Sequence, residues 1–140
     1  VFAQPREPPY IGQENLSIKE EQSMKIEVVD TQRGSIQLVK IEGRLDANFS
    51  LQLEDEVDRL LERGNKNIIL DLSDVTYLSS SGLRVFLSIN QETKGAGGLV
   101  LVNPREVVKK IFEVAEVQDL LTQVETVEEA FTILETKGKS

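Results

Sequence analysis

The stretch Asn67–Lys94, NIILDLSDVTYLSSSGLRVFLSINQETK, decides how the rest of the chain is read. It opens on Asn67 to Leu72, where Ile68, Ile69 and Leu70 stand side by side. Adjacent β-branched and apolar residues suit a strand buried on both faces, as in a sheet covered by other layers. Polar Ser73, Asp74 and Thr76 break this run, with Val75, Tyr77 and Leu78 apolar between them. Three serines follow, Ser79, Ser80 and Ser81, and then Gly82. Beyond Gly82 the period becomes helical: Leu83, Phe86 and Leu87 fall at i, i+3 and i+4, and Val85 and Ile89 widen the apolar face. Lys94 and Gly95 supply the end signals, a cation and a residue suited to a left-handed cap. The serines therefore lie where a buried strand hands over to a helix N-terminus.

Composition narrows what such a turn can do. The 140 residues suffice for one domain with a real core. There is no cysteine, which removes disulfides and thiol chemistry and fits the cytoplasm. There is no histidine either, which excludes Ser-His catalysis and the commonest zinc sites. A net charge of -8 argues against nucleic-acid binding, which needs a basic patch, and favours a protein partner with a basic surface. No run approaches the roughly 20 apolar residues of a membrane span, so direct membrane insertion is not expected, and no secretory pattern opens the chain.

The flanking segments extend the βα reading. Val1 to Ser23 holds three of the four prolines and no sustained period, and is expected to be a flexible tail, either a native extension or a cloning remnant. Met24 directly precedes the first patterned segment. Ile26 and Val28 alternate, Thr31 to Gly34 resembles a hairpin turn, and Ile36, Leu38, Val39 and Ile41 make a second strand closing at Gly43. Arg44 to Ala47 leads into a helix with Leu53, Val57, Leu60 and Leu61 inward, ended by Arg63 and Gly64. After the central strand and helix, Gly95 to Gly98 turns the chain into a fully apolar strand, Leu99 to Val102. Strand, helix and strand in that order predict a parallel βαβ unit. Asn103-Pro104 is read as an N-cap followed by proline at the first helical position. Val107, Val108, Ile111, Phe112 and Ala115 are the expected buried stripe of that helix. Leu120 to Val124 suits a short edge strand. Thr126 to Glu129 is a capping box opening a last helix that buries Val127, Ala130, Phe131 and Leu134 and frays from Lys137. The fold class is α/β: a mixed sheet of four to five strands packed with about four helices.

Serine at a helix start has a plain use and a functional one. Ser79 or Ser80 can simply cap the helix. The same N-terminus carries unpaired N–H groups and the positive end of the helix dipole, which favour an anion or a phosphoserine. A hydrolase elbow needs flanking glycines and a histidine base, and both are missing. No spacing supports a Ser-Lys pair with Lys40, Lys66 or Lys94. Gly95 to Gly98 follows a helix and precedes a strand, the reverse of a phosphate-binding loop. Asp46, Asp71 and Asp74 show no metal-ligand spacing and are read as caps and solvated loop residues. No enzyme activity, metal or cofactor is expected.

Four segments together resemble the STAS domain, the family of bacterial anti-sigma-factor antagonists and of the cytoplasmic domains of anion transporters. They are Gly43-Arg44-Leu45-Asp46-Ala47, Ile69 to Val75, Leu78-Ser79-Ser80-Ser81-Gly82-Leu83-Arg84-Val85, and Leu99 to Pro104. The likeness runs from about Met24 to Thr136, within an expected domain at residues 24–137. It implies binding to an anti-sigma factor that is itself a serine kinase of GHKL type, release when a serine at the helix start is phosphorylated, and restoration by a PP2C-type phosphatase. The family motif, Asp-Ser-Ser/Thr-Gly-Leu, places the phosphate on Ser80, with Ser81 and Ser79 the less favoured acceptors. Ser79 takes the aspartate position, and Arg84 stands where many antagonists have glycine. The partner surface implied is Leu45, Asp46, Ser79, Ser80, Ser81, Gly82, Leu83 and Arg84, with Asp46 and Asp74 near the phosphate. The alternative is a STAS subunit of a transport or signalling complex that is never phosphorylated.

Overall fold

The computed structural model describes residues 25–139; the expected tail and Met24 lie outside them. The strands are β1 (Lys25–Val29), β2 (Ile36–Leu45), β3 (Asn67–Leu78), β4 (Gly98–Val102) and β5 (Thr122–Val124). The helices are α1 (Ala47–Glu62), α2 (Ser80–Thr93), α3 (Glu106–Val114) and α4 (Val127–Lys139). One sheet runs in chain order, β1-β2-β3-β4-β5, with β1 antiparallel to β2 and every later pair parallel. Each crossover from β2 onward steps one strand in the same direction. Crossovers of one hand then place α1, α2 and α3 on one face of the sheet. Val57, Phe86 and Phe112 from those helices accordingly share one cluster with Val39, Ile68, Leu70 and Leu101. α4 covers the opposite face, where Ala130, Phe131 and Leu134 meet Ile36, Ile69, Val100 and Val102. The mixed five-stranded sheet with four helices is the fold class expected from the sequence.

β3 is longer than its apolar run. The polar residues Ser73, Asp74 and Thr76 do not end it, because Val75 and Leu78 still turn inward and β2 stays paired alongside. β2 likewise passes Gly43, which takes φ +106°, and ends at Leu45. Two register shifts, between Lys40 and Glu42 and between Gly43 and Arg44, let the two strands finish together at Leu45 opposite Leu78. β4 pairs with β3 only as far as Asp71 opposite Val102. β1 reaches along β2 only to Glu42, opposite Asp74, and beyond it Gly43–Leu45 and Val75–Leu78 form a two-stranded extension that carries α1 and α2 at its tip.

Several helix details differ from the sequence reading. The buried line of α2 is Gly82, Val85, Phe86, Ile89 and Thr93; Leu83 and Leu87 only flank it, half-buried. α3 begins at Glu106 with Arg105 at its cap and no side-chain capping bond. Asn103 cannot be that cap: it has φ +53°, and its amide donates to Ser73 Oγ at 3.2 Å. Of the expected α3 stripe only Val108 and Phe112 are buried. Ile111 is half-buried, Val107 and Ala115 are exposed, and neighbouring Val114 is 75% exposed. The helix has a wider apolar face than the sheet can cover. The capping box of α4 forms as read, with Glu129 N–H donating to Thr126 Oγ1 and Thr126 N–H to Glu129 Oε1. Val127 is only half-buried, and the helix continues past Lys137 to Lys139.

Two contacts lock α2 against its surroundings. The rings of Phe86 and Phe112 meet edge-on, centroids 6.4 Å apart at 67°. At the N-terminal end, a β-carbon on Gly82 would lie 2.6 Å from Leu78 Cδ1 and 3.0 Å from Leu45 Cγ. Leu45 and Leu78 are both buried, so they can yield only by repacking the core around them.

In urea unfolding, Phe112→Ala is expected to cost about 3–5 kcal/mol, and Val114→Ser less than about 0.5 kcal/mol. Equal losses would show that α3 buries its outer face. An exposed helical glycine gains about 1 kcal/mol on becoming alanine, but here overpacking of about 1–3 kcal/mol opposes that. Gly82→Ala is therefore expected to destabilise by up to about 2 kcal/mol; a clearly stabilised variant would place α2 farther from the sheet.

Candidate functional site

The site is the tip of the β2–β3 extension, where two parallel strands end side by side and each feeds a helix. Asp46 caps α1, its carboxylate accepting from Phe49 N–H at 3.0 Å. Ser79 caps α2, its hydroxyl accepting from Gly82 N–H at 3.1 Å. The same hydroxyl donates to the Leu45 carbonyl at 2.8 Å, and Ser79 N–H reaches that carbonyl at 2.9 Å. Leu83 N–H then bonds Ser79 O at 2.9 Å and starts the regular helix. The two loops are fastened at one carbonyl.

These bonds separate the three serines by task. Ser79 is the cap, and its hydroxyl is committed as donor and acceptor. Ser80, the first residue of α2, is exposed, and among the described residues its hydroxyl has no hydrogen-bond partner. Ser81 is half-buried in the same turn. The backbone N–H groups of Ser80 and Ser81 head a helix with no acidic residue in its first turn. That combination suits an added anion.

The other expected partner-surface residues divide into those that face outward and those that support. Arg84 is exposed, while Leu83 and Asp46 are half-buried at the rim. Leu45 and Gly82 are buried, so they shape the turn from beneath: Leu45 packs under Gly82, and its carbonyl holds Ser79. Asp74 lies back along β3 from Leu78, where it pairs with Arg105 at 3.7 Å, and so does not join Asp46 beside the serines. Asp71 accepts from Ser73 N–H and Oγ at 3.0 and 2.6 Å. These carboxylates serve caps, turns and an ion pair. No group of three or more ligand-type side chains that could hold a metal occurs among the described residues.

One pair at this tip escaped the sequence reading. Arg44 and Tyr77 stand opposite each other in register, with the guanidinium 4.3 Å from the ring centroid. Being next to inward-facing Leu45 and Leu78, they line the other face of the extension. Arg44 is visible in the sequence as a neighbour of the Leu-Asp pair, but its pairing with Tyr77 depends on the register shifts.

Most of the chain has known counterparts. Residues 27–130 match the STAS domain. BtrV of Bordetella bronchiseptica, whose name assigns it provisionally to the anti-sigma factor antagonists, is 32% identical over 76 residues, 54% of this chain and 66% of its own length. The anti-sigma-B factor antagonist of Staphylococcus aureus is 26% identical over 102 residues, covering 70% of this chain and 92% of that protein. In structure, the anti-sigma factor antagonist SpoIIAA of Bacillus superposes in its unphosphorylated form with a TM-score of 0.68 at 21% identity. That superposition covers 80% of this chain and 97% of SpoIIAA; the phosphorylated form gives 0.61 over 77% and 97%, also at 21% identity. No helix among the described residues is long and apolar enough to cross a membrane. With the match running from within β1 into α4, the chain belongs to the STAS domain family.

Proposed function

We propose that this protein is an anti-sigma factor antagonist, a binding module that holds an anti-sigma factor and releases it when Ser80 is phosphorylated. The observation that carries this reading is the division of labour in the turn. Ser79 already caps α2, so Ser80 is not needed for the helix, yet it is exposed in the first turn. The names of the relatives support the antagonist role, and the family resemblance supports a GHKL-type kinase as partner and a PP2C-type phosphatase as the restoring enzyme. The protein is then a substrate rather than an enzyme. Ser80 Oγ attacks the γ-phosphorus of ATP held by the kinase, the bond to the β,γ-bridging oxygen breaks, ADP leaves, and the hydroxyl proton passes to a base of the kinase.

The phosphate would add nearly two negative charges to a surface that must be desolvated on binding. A hundredfold fall in affinity needs only about 2.8 kcal/mol. A second reading, a STAS subunit that no kinase modifies, is favoured by the neutral Ser79 at the position where the resemblance leads to aspartate.

Intact-mass measurement after incubation with ATP and the GHKL-type kinases of the source genome separates the two. One added phosphate, absent in Ser80→Ala, is the expected result; no phosphate from any kinase supports the unmodified subunit. Ser80→Asp is expected to weaken anti-sigma-factor binding by tenfold or more in calorimetric titration, with its melting temperature unchanged or raised. An acidic residue in the first turn favours the helix by about 0.3–1 kcal/mol, so a loss of binding there would not reflect unfolding. Parent-like affinity would count against the switch.

A further inference from the structure

The side chain of Ser79 works twice, as donor to Leu45 O and as acceptor from Gly82 N–H. A hydroxyl has one proton to give and lone pairs to receive, so a single atom meets both demands. A carboxylate only accepts. At this position it would keep the bond from Gly82 but set an anionic oxygen against the Leu45 carbonyl, which already receives Ser79 N–H. The turn as built therefore calls for a hydroxyl where the resemblance leads to aspartate. Neutrality has a second consequence. The first turn of α2 holds no acidic residue, so a phosphate on Ser80 would meet helix N–H groups and the positive end of the dipole with no carboxylate beside it. The charged side chains around the turn are Asp46, whose carboxylate is engaged by Phe49 N–H, Arg84 within α2, and Arg44 at the end of β2.

We propose that Ser79 is a positioning residue for the Ser80 switch: its hydroxyl fastens the start of α2 to the end of β2, and its neutrality leaves a phosphate on Ser80 without a carboxylate neighbour in the turn. This deepens the reading of Ser80 as the modified serine. It also makes Ser79 itself a poor phosphate acceptor, since modification would remove the proton that it donates to the Leu45 carbonyl.

The test installs phosphoserine at position 80 during translation, so that no kinase takes part. Its second ionisation is followed by phosphorus NMR, and melting temperature is measured on the same proteins. A like charge beside the phosphate disfavours its dianion, so Ser79→Asp is expected to raise the titration midpoint by about half a pH unit. Asp caps a helix as well as Ser does. Only the lost donor to Leu45 and the carboxylate–carbonyl repulsion therefore count against this variant, which is expected to melt a few degrees lower. Ser79→Ala should lose the melting temperature but keep the midpoint, and Ser79→Thr, which restores the hydroxyl, should keep both. An Asp variant with the parent midpoint and melting temperature would overturn the proposal, and so would a Thr variant that melts like the Ala variant. These readings judge Ser79 alone; absence of phosphate in the intact-mass experiment judges the switch.

Discussion

Everything at the candidate site depends on β2 and β3 remaining paired beyond the point where β4 stops. β4 leaves β3 after Asp71 and β1 leaves β2 after Glu42, opposite Asp74, so from Val75 to Leu78 the two strands have only each other. A two-stranded ribbon is marginal by itself in water. This one is stable because one of its faces is a core face: Leu45, Val75 and Leu78 are buried with α1 and α2. Its other face carries the Arg44–Tyr77 stack, worth about 0.5–1 kcal/mol at an exposed site. At the tip, the shared Leu45 carbonyl makes the two strand ends one unit. The serine turn is presented on a braced support rather than on a free loop.

How much of this was legible in the sequence follows the physics of each element. The buried strands could be read because Ile68–Leu70 and Leu99–Val102 are continuous apolar runs, and all of these residues are buried. The α1 stripe and the α4 capping box are local patterns whose spacing is set by the helix itself, and both form. The β2–β3 extension was not legible, because its alternation is interrupted by two register shifts that only the partner strand defines. Asn103 illustrates a different limit. Asn-Pro is a good local cap, but a side chain across the sheet, Ser73, holds that asparagine in another conformation. Periodicity shows that α3 has an apolar face, yet it cannot show how wide a surface is available to cover it. At the candidate site the sequence located the serine turn and left open which serine caps; only geometry assigns that to Ser79.

On the proposed reading, in which cap and acceptor are different serines, an energetic consequence follows. If the cap were the acceptor, phosphorylation would break the side-chain bond from Ser79 to the Leu45 carbonyl, and the change of state would cost folding stability. With Ser79 as cap and Ser80 exposed, a phosphate on Ser80 leaves that bond in place. It adds charge at the favourable end of α2, where anions stabilise by about 0.3–1 kcal/mol. The fold and the interface then respond with opposite sign to the same group: the helix gains a little, and a partner surface that must shed water from a dianion loses more. The overall charge of -8 contributes little to this difference. Exposed charges beyond a Debye length of about 8 Å at physiological salt are screened, so the local contact decides. A modification that is neutral or mildly favourable for the fold and costly for the complex can be written and erased repeatedly without passing through an unfolded protein. Under the proposed switch, the Ser79 clamp would supply that separation.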